Sequence, residues 1–280
     1  MTKGKIIWLA SYPKSGNTWT RAFLLHLFMN PKEPFSPDDI SAMSPHDTAR
    51  YWFEKAAGEA PATWDEKRVA SLRPGIQEEI AKYAPDNIFV KTHCALMQWH
   101  GYAVIDFALT AGAIYIVRNP LDIVASYAAH SGSGPDHIIN VMNDSGHVLP
   151  EQPDQVAHLI GSWSEHVQSW TARPNPALHI MRYEDLVERP DETFGGLVRF
   201  LGLNPPPDRL ERALSFSSFD TLKTMEQKHG FAERAINQKR FFRAGKVGGW
   251  RDELNDDQAR SIIQVHREQM ARFDYIPQGY

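Results

Sequence analysis

Trp8-Leu9-Ala10-Ser11-Tyr12-Pro13-Lys14-Ser15-Gly16-Asn17-Thr18-Trp19, near the start of the 280-residue chain, decides how the fold is read. The apolar run Ile6-Ile7-Trp8-Leu9-Ala10, within a segment from Lys5 to Ala10, predicts a buried strand. A Pro/Lys/Ser/Gly turn follows. The pattern Trp19-Thr20-Arg21-Ala22-Phe23-Leu24-Leu25 then predicts a helix reaching Asn30, capped by Asn17 or Thr18. A strand, a tight loop and a helix N-terminus make an anion grip. Free backbone N–H groups and the positive end of the helix dipole converge there, and Lys14 adds a full charge.

The nucleotide P-loop G-x-x-x-x-G-K-[ST] places its lysine after the last glycine. Here Lys14 precedes Gly16 and Asn17 stands where that lysine would be. A triphosphatase also needs an acidic residue at the end of a second apolar strand to help hold magnesium. The apolar strand Ala113-Ile114-Tyr115-Ile116-Val117 ends in Arg118 instead, and Asp106 lies in a short, irregular segment. The turn thus reads as neutralising its ligand with protein cations, and no metal site is read.

Outward from this turn, helical spacing runs through Tyr51–Ala57 and Asp65–Tyr83, with interruptions expected at Gly58, Pro61 and Pro74. A short strand at Asn87–Lys91 leads into Lys91-Thr92-His93, and a helix is expected over Leu121–His130. Residues 131–153, rich in Gly, Pro and Asp, read as a mobile loop or partial lid. Helices follow over Val156–Thr171, Pro190–Leu201, Asp208–Ser215, Phe219–Lys228 and Asp256–Phe273. A strand is read at Leu178–Met181 and a Lys/Arg/Gly-rich closing loop at 230–250. Alternating strands and helices predict an α/β chain: a P-loop-like three-layer fold with a central, mostly parallel sheet flanked by helices, in one domain over 1–280. Ligands of such sheets sit beyond the carboxyl ends of the strands, and Lys14, His93, Arg118 and Tyr183 each follow a different strand end.

These residues resemble a known family. Tyr12-Pro13-Lys14-Ser15-Gly16-Asn17-Thr18-Trp19 resembles the 5′-phosphosulfate loop of cytosolic-type sulfotransferases, which use 3′-phosphoadenosine 5′-phosphosulfate (PAPS) and release adenosine 3′,5′-bisphosphate. Tyr115-Ile116-Val117-Arg118-Asn119-Pro120-Leu121-Asp122-Ile123-Val124-Ala125-Ser126-Tyr127 is similar to that family's 3′-phosphate motif. Lys91-Thr92-His93 matches its catalytic-histidine segment and Arg182-Tyr183-Glu184-Asp185-Leu186 its adenine-side segment. Phe242-Arg243-Ala244-Gly245-Lys246-Val247-Gly248-Gly249-Trp250-Arg251 resembles its closing motif. Trp8–Lys14 and Gly161-Ser162-Trp163 share the look of bacterial glycopeptide sulfotransferases, favouring a small-molecule or secondary-metabolite acceptor.

The resemblance implies roles. Lys14 partners the bridging oxygen, where charge builds as the S–O bond breaks in a loose transition state. Histidine titrates in the range needed to take the acceptor's proton, which makes His93 the expected general base. Lys91, two positions earlier on the same side of an extended chain, would steady the sulfuryl oxygens. For a lone histidine a core residue bonded to a backbone carbonyl is the favoured reading; the nearby Lys91 and the resemblance to Lys-Thr-His select the base instead. Ser15, Gly16, Asn17 and Thr18 would line the phosphosulfate, with Trp19 under the base. Arg118 and Ser126 would hold the 3′-phosphate, although on spacing alone a strand-end arginine serves as well in a surface ion pair. Tyr183, Ser217 and Phe219 fall on the adenine side, with packing an equal reading for Phe219, and Arg243 and Gly245 on the closing loop. The chain departs from the pattern at Ala244, where lysine is commoner, at Gly249-Trp250-Arg251, where Asp/Glu-Trp-Lys is usual, and at Asn17 in place of threonine. The vertebrate-type dimer motif after Trp250 is missing, leaving monomer or homodimer open.

Bulk composition narrows the rest. With 30 Lys+Arg against 34 Asp+Glu the net charge is −4, which gives no broad basic surface for nucleic acid or an anionic membrane. The single Cys94, read as a small buried filler, forms no internal disulfide, and no long apolar run or leader precedes the first strand, so a soluble, cytoplasmic protein is expected. Trp52, Phe53, Trp64, Trp99 and Tyr102 either border an apolar acceptor pocket or belong to the core. Two other readings stay open: a magnesium-dependent P-loop nucleotide kinase, and a non-catalytic adenosine-bisphosphate-binding protein.

Overall fold

The computed structural model describes residues 4–58, 64–234, 240–243 and 245–280. Strand β1 (Ile6–Ser11) runs into helix α1 (Asn17–Met29), followed by α2 (Pro37–Met43), α3 (Arg50–Ala57) and α4 (Glu66–Tyr83). Strand β2 (Ile88–Thr92) precedes a small hairpin, β3 (Gln98–Trp99) and β4 (Tyr102–Ala103). Central strand β5 (Thr110–Val117) enters α5 (Pro120–Ser131). Helix α6 (Pro135–Asn143), a second hairpin of β6 (Val148–Leu149) and β7 (His158–Leu159), and α7 (Trp163–Thr171) come before β8 (Leu178–Arg182). The chain ends with α8 (Tyr183–Glu188), α9 (Pro190–Phe200), α10 (Pro207–Phe216), α11 (Phe219–His229) and α12 (Asp256–Arg272).

The main sheet has four strands in the order β2-β1-β5-β8, and every pairing is parallel. Successive side chains of β1 and β5 feed opposite cores, as period-2 geometry requires. Ile6, Trp8, Ala10, Ala113, Tyr115 and Val117 join a core with α3, α4, α6, α7 and α12. Leu9, Ile114 and Ile116 join a second core with Phe23, Leu24 and Leu27 of α1 and Phe194 and Leu197 of α9. The result is the three-layer α/β, P-loop-like arrangement read from the sequence. Because the strands are parallel, Ser11, Thr92, Val117 and Arg182 end on one edge, and the segments after them are neighbours.

Several local readings are corrected. Residues 131–153 are not one loop: α6 occupies 135–143, and Ile138, Ile139 and Met142 bury its inner face against the larger core. Flanking Gly and Pro hid three apolar positions at helical spacing. Only Trp163–Thr171 of the expected Val156–Thr171 helix is helical, because Gly161 is left-handed at φ 65° and Ser162 caps α7 in a capping box with Glu165. Helix α4 continues through Pro74, its buried face of Val69, Ala70, Ile76 and Ile80 outweighing the missing N–H. Pro61, like 235–239 and Ala244 of the closing loop, lies outside the described residues. Trp52, Phe53 and Trp99 are core, Trp64 packs at the core's margin, and Tyr102 is exposed. Among the described residues, no helix is long and apolar enough to cross a membrane.

Met142→Ala tests the reassignment of 131–153. Met142 is fully buried, so its truncation should cost about 2–5 kcal/mol in urea unfolding; a solvent-exposed loop would lose almost nothing.

Candidate active site

The turn after β1 uses two left-handed residues, Lys14 at φ 67° and Gly16 at φ 104°. Gly16, not Asn17 or Thr18, is the N-cap of α1, and no side chain caps the helix. Asn17 is instead its first residue, and its Nδ2 donates to Leu9 O at 2.8 Å, stitching the helix to β1. Thr18 Oγ1 accepts from Arg21 Nη2 at 3.1 Å. With both candidate caps engaged elsewhere, the leading N–H groups of α1 remain without side-chain partners, which is the condition for holding an oxyanion. The buried Ser15 hydroxyl also has no protein partner.

Arg118, just beyond β5, donates from Nη1 to Lys14 O at 2.7 Å and lies 4.0 Å above the Tyr183 ring. Its buried Nε has no protein partner. A Cβ on Gly16 would stand 2.8 Å from Tyr183 Cδ2, so the turn packs directly against that ring. Trp19 meets Tyr183 edge-on at 6.1 Å. The Lys14 ammonium sits 4.3 Å over the Phe241 ring. Burial, with Arg118 and Lys91 nearby, lowers its pKa to about 7.

His93 follows β2. Its Nδ1 is 2.7 Å from Ser11 O, so Nδ1 carries the proton and donates, leaving the Nε2 lone pair as the basic site. Burial, then the charge of Lys91, pushes its pKa well below the usual histidine value, so the ring is neutral near pH 7. Lys91 is also lowered by burial, against the pull of Glu233, 3.5 Å from its Nζ. Cys94 is buried, and burial raises its thiol to about 12, which fits the filler reading.

The remaining candidates spread around this edge. Ser126 is half-buried on α5. Ser217 donates to Ala213 O at 2.7 Å, which spends its hydroxyl proton on the last turn of α10. Gly245, at φ 59°, is pressed on Phe219, where an added Cβ would come within 2.7 Å of the ring. Arg243 is exposed and pairs with Glu253 at 2.6 Å.

Four residues to which the motif reading gave no role complete the site. Buried Asp122 accepts from Gly248 N at 2.8 Å and Trp250 N at 3.0 Å, fastening the closing motif to α5. His166, buried on α7, accepts from Tyr115 OH at 2.8 Å, and its Nε2–H donates to His93 O at 3.2 Å. Arg21 and Glu233 are paired at 2.8 Å beside the turn. Only Asp122, inside a motif, carried a local signal.

Fold and site define an α/β protein with a cationic turn at a helix N-terminus and a neutral histidine on the same sheet edge. Comparison with known proteins places it further. The profile of the Sulfotransferase domain family matches residues 5–274. The chain belongs to the sulfotransferase family and is an enzyme of that PAPS-dependent class. Sulfotransferase 2A2 of Mus musculus is 26% identical over 281 residues, covering 98% of this chain and 87% of that protein. The 3-alpha-hydroxysteroid sulfotransferase of Cavia porcellus is 24% identical, covering 94% and 83%. Among solved structures, retinol dehydratase in complex with androsterone and inactive cofactor PAP superposes with a TM-score of 0.66 at 19% identity, covering 98% and 83%. Mouse sulfotransferase SULT7A1 complexed with PAP gives 0.61 at 19% identity, covering 95% and 84%.

Gly16→Ala should lower thermal stability by roughly 1–3 kcal/mol, because an L side chain is strained at this φ and would push Tyr183 from beneath Arg118. An unchanged melting temperature would show that the turn relaxes freely.

Proposed function

We propose that this protein transfers the sulfuryl group of PAPS in line to a hydroxyl, less readily an amine, of a small-molecule acceptor, with His93 as general base and protein cations in place of a metal. The observation that carries this reading is the 2.7 Å contact of His93 Nδ1 with Ser11 O. Ser11 O holds the Nδ1 proton, so a basic Nε2 is presented on the sheet edge that also bears Lys14, Lys91 and Arg118. The unpartnered Ser15 hydroxyl, the uncapped start of α1 and the buried Arg118 Nε fit an anionic donor.

The donor supplies an activated sulfuryl group whose bridging oxygen gains charge as its bond to sulfur breaks. Lys14 and the α1 amides would take up that charge, and Lys91 would steady the sulfuryl oxygens. Pre-oriented donors of this kind are each worth about 3–4 kcal/mol. Arg118, with Ser126, would hold the 3′-phosphate, and Tyr183, Phe219 and Trp19 the base. Arg243, Gly245 and Ser217 would complete the closing side. His93 Nε2 takes the acceptor's proton as the new S–O bond forms. Relatives named for hydroxysteroids and a neighbour holding androsterone support an apolar alcohol as acceptor. A single cytoplasmic domain, with the described closing residues Arg243 and Gly245 on the donor side, completes the reading.

The kinase alternative needs a carboxylate near Lys14 that is free to hold magnesium. The carboxylate found there, Glu233, already accepts from Arg21, Ser41 and Lys91. A non-catalytic binding protein has no use for a base poised as His93 is.

His93→Ala should reduce sulfation from labelled PAPS, screened over phenols, steroids, sugars, amines and glycopeptides, by about 10²–10⁴-fold or more. Affinity for adenosine bisphosphate should stay within a few-fold. Wild-type turnover in this variant would remove His93 from the base role.

Lys14 predicts a pH dependence. With its pKa near 7 in the free protein, a bound anion raises that value, so binding above pH 7 takes up a proton. Affinity for adenosine bisphosphate should therefore weaken between pH 7 and 9, by up to about tenfold per unit. Calorimetry in two buffers of different ionisation enthalpy reads the uptake directly. Lys14→Arg, charged throughout, should flatten the profile; a profile equally steep in both proteins would assign the proton elsewhere.

A further inference from the structure

Glu233 lies in the segment after α11, and its carboxylate joins three other parts of the chain. Arg21 Nη2, on buried α1, donates to both oxygens at 2.8 and 2.9 Å. Ser41 Oγ of α2 donates at 2.8 Å, and Lys91 Nζ, at the carboxyl end of β2, stands 3.5 Å away. The contacts are unequal. Arg21 and Ser41 anchor the carboxylate, whereas Lys91 is held at the longest distance, by charge more than by a tight hydrogen bond. An ammonium has three N–H donors, so one directed at Glu233 leaves two for another oxyanion.

We propose that Glu233 is a positioning residue for sulfuryl transfer: fixed by Arg21 and Ser41, it holds the Lys91 ammonium charged and in place beside the donor turn and His93. The proposal rests on the reading of Lys91 as the lysine that steadies the sulfuryl oxygens.

Electrostatics supports the geometry. The groups that bear on Lys91 are Arg21 from α1, Lys14 from the turn, His93 beyond β2, His46 from the segment after α2, Asp154 from the segment before β7, and Glu233. Burial and Arg21 favour the neutral amine. Glu233 is the carboxylate in direct contact, with Asp154 acting through space. Burial alone would raise Glu233, but Lys91 and Arg21 hold it far below the usual carboxylate range, so it is an anion throughout the working range. Without that charge, Lys91 would share a desolvated site with Arg21 and Lys14 and lose its proton at lower pH.

The test uses the full chain, labelled with ¹³Cε-lysine, free of donor. The Lys91 signal, assigned through Lys91→Arg, is followed by NMR from pH 6 to 11 in the wild type, Glu233→Gln and Glu233→Asp. Glu233→Gln keeps the size of the side chain but removes its charge and turns one of its two accepting oxygens into a donor. Its Lys91 midpoint should fall by at least one pH unit, and Glu233→Asp should recover most of that shift. An unmoved midpoint in Glu233→Gln, or a melting temperature that falls equally in both variants without a titration change, would make Glu233 a structural strut and overturn the proposal. Calorimetry of the wild type with adenosine bisphosphate is run alongside. Failure to bind there would sink the functional reading, while the lysine titration still decides the role of Glu233.

Discussion

Arg118 donates to the backbone carbonyl of Lys14, and the geometry of the site depends on that contact. It helps hold Lys14 in the left-handed region, which is costly for a residue with a side chain. With it, the carbonyl turns toward β5, and the neighbouring amides are left to the mouth of α1. The same guanidinium stacks on Tyr183, and Tyr183 floors the turn at Gly16. Three strand ends of a parallel sheet are thereby locked to one another by one planar cation, a service that lysine could not perform. Glu184 extends the lock by accepting from Asn119 N at 3.0 Å and from Tyr275 OH at 2.7 Å, which ties the end of the chain to the segment bearing Arg118.

The consequence is an edge crowded with positive charge. Lys14, Lys91, Arg21 and Arg118 converge on a region where burial penalises each of the lysines. The protein offsets this in two ways. Phe241 presents an aromatic face to Lys14, and Glu233 supplies a carboxylate to Arg21 and Lys91. Neither offsets burial fully, and burial, with Arg118 and Lys91 nearby, lowers the Lys14 pKa to about 7. An anion bound at this edge, as proposed, would favour the charged form of both lysines.

What the sequence made legible follows from locality. Lys14, His93, Arg118 and Tyr183 each stand immediately after an apolar run, and parallel pairing brings such positions to one edge whatever lies between them. The alternating two-sided burial of β1 and β5 follows from their continuous apolar composition. Capping was misjudged because Asn17 finds a stronger use in bonding Leu9 O, a tertiary contact that no capping preference anticipates. Helix α6 is hard to read because Gly132, Gly134 and Pro135 dominate its surroundings, and only Ile138, Ile139 and Met142 are buried on it. Arg21 and Glu233 are 212 positions apart and sit in unremarkable local sequence, so their pairing exists only in three dimensions. His166 looks from its spacing like an ordinary packing residue on an amphipathic helix. Its hydrogen bond to the His93 carbonyl gives it a different standing.

The same electrostatics bears on the proposed base. A histidine held this far below its ordinary pKa is neutral and ready to accept a proton, yet weak in doing so. The imidazolium it forms would lie in the field of Lys91, which opposes it, beside the neutral rings of His158 and His166. Ser11 O, at the far nitrogen, stabilises that cation, but one carbonyl does not outweigh burial and a neighbouring ammonium. In the proposed mechanism the missing negative charge would come from the phosphosulfate held by Lys14 and Lys91. On this reading, deprotonation of the acceptor becomes favourable only when the donor is already in the turn. The cations that bind the donor would thus also keep His93 from taking up a proton before it is needed.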